Sequence, residues 1–328
     1  MNLLMTKPVL VQSPKDLTID FSKSIFWTCA SFEKRLQNAS MLFEKKFQDA
    51  CVFYNKEFKS VTQESLELTL HSRLSDRIKG VEISISEPIV TGDIFLDLLL
   101  EYGNSIVNYE NIVIDISTFT REHLLIILKI VSYLNITNII FLYIAANHLS
   151  TSWLTRGYSS VRSVLGYSGD YHFSDKTHLI LMMGFEKERA ITIIEEYQPD
   201  LISIGIGKNG DALDLYKRNI NYAHELAAVY GSAVDLFQFS LDDANNCSFD
   251  IEEQYHKIKE QQEGAVNTII SPLNNKISTI GCGLFLLRND DVQACYAEAI
   301  SYNFSDYSKD YSKLYRFNIC SDKLDENK

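Results

Sequence analysis

Two short stretches carry the residues best suited to chemistry: Phe32-Glu33-Lys34-Arg35 and Phe185-Glu186-Lys187-Glu188-Arg189. Each follows an apolar, strand-like run and precedes a helical pattern. A glutamate there could serve as a general acid or base, and the arginine close behind could hold an anion. The same residues also suit a helix start, where an acid in the first turn meets the helix dipole and an arginine pairs with it.

A third group lies in "VIDISTFTRE", with Asp115 at a strand tip followed by Ser117, Thr118 and Thr120. A strand-end carboxylate beside hydroxyls could hold a ribose, a metal-bound water or a substrate amine, and the hydroxyl residues are equally good helix caps. The corresponding place in the second half reads "IISPLNNKIST", with Ser271, Asn274, Asn275 and Lys276. Between the halves, Arg156 and Arg162 are interleaved with Trp153, Tyr158, Tyr167 and Tyr171, a pattern that suits a phosphate with an aromatic base or a protein interface. The candidate catalytic residues are therefore Glu33, Glu186 and Asp115. The candidate ligand-holding residues are Arg35, Arg189, Ser117, Thr120, Lys276, Arg156 and Arg162.

Other chemistry finds less support. Gly205, Gly207 and Gly210 have G-x-G-x-x-G spacing, but they follow the second strand of their half, where a dinucleotide fingerprint would follow the first. There is no P-loop and no G-x-S-x-G elbow. His71, His123, His148, His172, His178, His224 and His256 form no ligand pair, and the six cysteines form no C-x-x-C. Cys29, Cys51, Cys282 and Cys295 sit in apolar runs and read as buried thiols. No metal is expected, and the residues name no cofactor.

The elements that must position these residues repeat. Phe32 and Phe185, Glu33 and Glu186, and far downstream Tyr143 and Tyr296, are each 153 positions apart. Between these anchors both halves read strand, helix, strand, helix, strand, helix, strand, helix, strand. The first half has helices near 33–47, 62–78, 91–103 and 120–134. The second has them near 187–197, 211–229, 249–262 and 276–288. Apolar strand runs alternating with helices predict parallel sheets covered on both faces.

The expected fold is thus α/β, a tandem duplication of two Rossmann-like lobes with mainly parallel sheets. The first lobe spans 1–146 and the second 178–300, with an irregular or β-hairpin connector at 147–177 and a tail at 301–328. In architecture alone this resembles ligand-sensing folds in which two Rossmann-like domains face each other, the CRISPR-associated Rossmann sensors among them. No motif carries residues over from that likeness.

Size and charge narrow the function classes. The 328 residues, 46% of them apolar, can fill two cores. Thirty-one Lys and Arg against 43 Asp and Glu give a formal charge of −12, without the clustered cations that nucleic acid binding needs. No long uncharged apolar run appears, and the N-terminus lacks a signal-peptide core, so no membrane contact and a cytoplasmic location are expected. The expected function is a binder or sensor of an anionic, nucleotide-like small molecule in a cleft between the lobes, acting with a protein partner. The alternatives are an enzyme, a transferase or hydrolase, on a nucleotide or sugar phosphate, and a protein-interaction scaffold.

Overall fold

The computed structural model describes residues 3–33, 35, 43, 45–104, 109–173, 176–208, 213–262 and 264–321. Most of the helix expected near 33–47 lies outside the described residues, as do Gly210 and the end of the tail. Two compact units emerge, the first formed by 1–147 with 308–328 and the second by 148–307. Both are α/β with mainly parallel sheets.

In the first unit the strands are β1 (Leu3–Met5), β2 (Val9–Val11), β3 (Ser24–Cys29), β4 (Asp49–Asn55), β5 (Ile78–Ile83), β6 (Asn111–Asp115), β7 (Ile139–Leu149) and, from the far end of the chain, β14 (Ser308–Ser321). Their order is β1-β14-β7-β6-β3-β4-β5, with β2 also on β14. β3 through β7 are mutually parallel, whereas β1 and β2 run antiparallel to β14. Helices α1 (Lys59–Leu70), α2 (Pro88–Asn104) and α3 (Arg121–Tyr133) connect the parallel strands. Every residue of β3 is buried, as expected of a central strand covered on both faces. Trp27, Phe53, Phe95 and Phe119 pack there with neighbouring ring centroids 5.0–5.5 Å apart.

The second unit contains β8 (Thr155–Ser163), β9 (Lys176–Met182), β10 (Leu201–Lys208), β11 (Val234–Ser240), β12 (Val266–Pro272) and β13 (Gln293–Tyr302) in the order β11-β10-β9-β12-β13-β8. All pairs are parallel except β13 with β8. Helices α4 (Lys187–Tyr197), α5 (Leu213–Tyr230), α6 (Ala244–Gln261) and α7 (Lys276–Arg288) cross between strands. Leu179, Leu181, Ile193, Ile204 and Ile269 form the centre of its core.

Helix ends differ from expectation where a cap or a strand bond prevails over periodicity. α1 stops at Leu70 rather than near 78, because Phe47 pairs with Ser75 and draws the following residues into β5. α6 starts at Ala244 rather than near 249, since the Asp243 carboxylate accepts from the Asn245 and Asn246 amides. The segment 147–177 holds a nine-residue strand, β8, and the tail holds β14.

His178 on β9 is fully buried, with Nε2 2.8 Å from Ser203 Oγ. Burial lowers its pKa from 6.5 to about 4, against a smaller opposing pull from Asp235. The unfolded chain therefore takes up this proton near pH 6.5 and the native chain only near 4. His178 contributes its full stability above pH 6.5 and loses it as pH falls through that window. The urea midpoint should decline between pH 6.5 and 4 less steeply in His178→Gln than in the native chain.

Candidate functional site

In the first unit the turn after β3 places Glu33 and Arg35 in a buried pair, with side chains 8% and 7% exposed. Arg35 presents its side-on edge: Nε and Nη2 donate to Glu33 Oε2 at 3.0 and 2.6 Å. Its remaining nitrogen, Nη1, donates to the Ile144 carbonyl of β7 at 3.2 Å. The Ser308 hydroxyl of β14 also donates to Glu33, and the Arg35 guanidinium lies 5.7 Å from the centre of the Tyr311 ring.

Asp115 and Ser117 join the same network. Ser117 donates through its amide and its hydroxyl to Asp115 Oδ1, at 3.0 and 2.5 Å, and accepts from the Ile144 amide at 2.9 Å. Thr28 Oγ1 lies 3.4 Å from the other carboxylate oxygen. Burial raises the Asp115 pKa, while the Ser117 and Thr28 hydrogen bonds and the Arg35 charge pull against that rise. The arrangement ties the ends of β3 and β6 and the start of β14 to the middle of β7.

The second unit has a related arrangement with a different edge engaged. Glu186 and Arg189 are almost wholly buried, at 1% and 3% side-chain exposure. Glu186 Oε1 accepts from the Thr155 hydroxyl of β8 at 2.5 Å, and Oε2 accepts from Arg189 Nη1 at 3.1 Å. The Arg189 guanidinium lies 5.5 Å from the ring centres of both Tyr158 and Tyr296. Its Nε and Nη2 are buried and meet no acceptor among the described residues. Burial works against the charge of Arg189, yet Glu186 and the surrounding tyrosines hold its pKa above the ordinary arginine value.

Four residues correspond at the same spacing of 153: Glu33 with Glu186, Tyr143 with Tyr296, Thr155 with Ser308, and Tyr158 with Tyr311. The arginines break it, since Arg35 follows its glutamate by two positions and Arg189 follows by three. That extra residue seats Arg189 in the first turn of α4, from which it reaches Glu186 through Nη1 alone. The side-on edge that Arg35 applies to its own glutamate is left over in Arg189.

The remaining expected residues stand apart from these two networks or at their margin. Arg162 joins the second through Tyr296, 5.5 Å from its ring, and pairs with Glu298 at 2.6 Å. Arg156 is exposed, 4.6 Å from the ring centre of Trp153. Thr120 caps α3 by accepting from the His123 amide at 3.1 Å. Lys276 opens α7 beside its cap, Asn275.

The loops after β9 and β12 are tied to each other, because Asn274 donates to the Met183 carbonyl at 2.6 Å, and Asn219 of α5 donates to the same oxygen at 2.7 Å. Gly205 and Gly207 are packing positions. A methyl group at either would lie 2.7–2.8 Å from Phe237, Phe239 or Leu241 side chains.

Among the described residues no cluster of three or more His, Cys, Asp or Glu is arranged to hold a metal ion, and no helix is long and apolar enough to cross a membrane. Sequence reasoning passed over Thr155, Ser308 and Tyr311, and the spacing of 153 was the signal that marks them. No protein-family model and no curated protein matches the chain.

Proposed function

We propose that the chain is a cytoplasmic binder or sensor of an anionic, nucleotide-like small molecule, built by tandem duplication of a Rossmann-like unit and acting with a protein partner. The observation that carries the reading is the side-on edge of Arg189. Nε and Nη2 form the two-pronged donor that matches a carboxylate or a phosphate. They are already removed from water without an acceptor among the described residues, so an anion meeting them gains two charge-assisted hydrogen bonds against little further desolvation of the arginine. Tyr158 and Tyr296 beside the guanidinium, and Arg156 of β8 against the Trp153 ring, favour a ligand with an aromatic base over bare phosphate.

Binding suits these residues better than catalysis. Glu33 and Glu186, the candidate acids, are both held in buried ion pairs and further engaged by hydroxyls, which leaves neither poised to exchange a proton with a substrate. Asp115 is enclosed by its own Ser117 and Thr28. The acidic net charge and the exposed apolar residues Ile89, Val90 and Ile300 are compatible with a protein partner.

A thermal-shift screen with nucleotides, cyclic oligonucleotides, sugar phosphates and inorganic phosphate tests the reading. The expected result is a rise of several degrees with a nucleotide, kept in Arg35→Lys and lost in Arg189→Lys, because ligand held by the folded state raises its apparent stability. A rise that survives in Arg189→Lys would place the ligand elsewhere. No rise with any compound would leave the scaffold reading.

A further inference from the structure

The elements that complete each buried Glu–Arg pair come from the wrong half of the chain. β8 follows β7 in sequence, yet it lies in the sheet of the second unit, antiparallel to β13. β14 follows β13, yet it lies in the sheet of the first unit beside β7. Thr155 and Ser308, the first residues of these two strands, are 153 positions apart. Each donates to the glutamate of the unit that its sequence position would not assign it to.

The backbone between the strands repeats the relation. The Ser150 amide donates to the Tyr307 carbonyl at 3.0 Å, and the Asn303 amide donates to the Leu154 carbonyl at 2.9 Å. Ser150 and Asn303 are 153 apart, as are Leu154 and Tyr307, so each bond is the counterpart of the other with donor and acceptor segments exchanged. Asn303 Nδ2 also lies 3.4 Å from Ser150 Oγ, joining the two equivalent positions directly. Such reciprocity is the mark of a two-fold exchange, the relation that swapped elements have in a symmetric dimer.

We infer that the chain is a fused, strand-exchanged dimer in which the edges of β7 and β13 are equivalent docking surfaces. Each takes the segment that follows the fifth strand of the other repeat. The inference rests on the duplication proposed above and is independent of any ligand. The added strand brings main-chain hydrogen bonds to the sheet edge, and its Thr/Ser-x-x-Tyr pattern supplies the hydroxyl and the ring that enclose the Glu–Arg pair. Neither site is complete without a segment of the other repeat.

The test is scission of the folded, full-length chain at a protease site inserted after Phe173, which is 98% exposed. Fragments 1–173 and 174–328 each carry parts of both units, so they are expected to elute together at micromolar concentration and to keep the thermal midpoint of the uncut chain within a few degrees. A second variant reads the exchange directly. Ser160 and Glu298 face each other directly across antiparallel β8 and β13, the spacing a cysteine pair needs.

In the cut S160C/E298C chain the fragments should run as one band without reductant and as two with it. Fragments that separate under native conditions, or that stay together yet run apart on the non-reducing gel, would overturn the exchange. The two tests remain distinguishable, because a failed anion screen leaves the fragments paired, whereas a failed exchange separates them whatever anion is offered.

Discussion

Replacing Glu186 with alanine is expected to destabilise the protein by about 3–5 kcal/mol, the usual cost of stripping a buried charge of its partner. Arg189 would keep its place between Tyr158 and Tyr296 while losing its one carboxylate, and Thr155 would lose the acceptor that ties β8 to the start of α4. The reverse truncation differs. Arg189→Met leaves a buried carboxylate that can take up a proton, and Thr155 still donates to it. The double variant Glu186→Leu with Arg189→Met removes both charges and should recover much of the loss, since apolar replacements of a buried pair are often neutral or better. Urea melts of the four chains at pH 7 measure this. A loss below about 1 kcal/mol in Glu186→Ala would mean that the pair is solvated and the account of the site wrong.

Gly184→Ala should be at least as damaging, at about 3 kcal/mol or more, for a reason that involves no charge. A methyl group on Gly184 would stand 1.8 Å from the Leu273 carbonyl oxygen and 2.7 Å from its carbon. Both are backbone atoms, so no rotamer change relieves the contact. The loop after β9 and the loop after β12 would have to part, breaking the bond from Asn274 to Met183. Gly231→Ala is the control of opposite character, because nothing lies within 4 Å of its added methyl and only its positive φ of 63° resists the change. It should cost about 1 kcal/mol. Equal losses at the two glycines would contradict the close approach at Leu273.

Much of this fold could be read from residue pattern. Buried parallel strands announce themselves as unbroken apolar runs, and Ser24–Cys29 and Lys176–Met182 are where such runs occur. Helices α4 and α7 begin and end where periodicity places them, α7 with Asn275 as its cap. The edge strand β8 was not legible, because it reads "TRGYSSVRS", with polar residues and a glycine at φ 62°. An edge strand is covered on fewer sides and its pattern weakens accordingly. The destination of β8 was less legible still, since nothing local distinguishes a strand that joins its own sheet from one that joins the other.

The candidate site shows the same division. Glu33 with Arg35 and Glu186 with Arg189 were found as repeated residue types, and Asp115 with Ser117 as a strand tip with a hydroxyl. Their hydroxyl partners Thr155 and Ser308 come from segments 31 and 275 positions away, so only the 153-residue spacing linked them. Nor could residue types foretell that one arginine would engage its glutamate side-on and the other through Nη1 alone. That difference follows from a single extra residue between acid and base.

The central claim concerns the free edge of Arg189, and the most direct measurement is a titration of the arginine side-chain Nε–Hε NMR signals with a nucleotide. The resonance of Arg189, assigned by its disappearance in Arg189→Lys, is expected to shift and become protected from exchange as ligand is added, while that of Arg35, already bonded to Glu33, stays in place. An Arg189 signal that ignores every anion offered, or one that moves no more than Arg35, would contradict the proposed site.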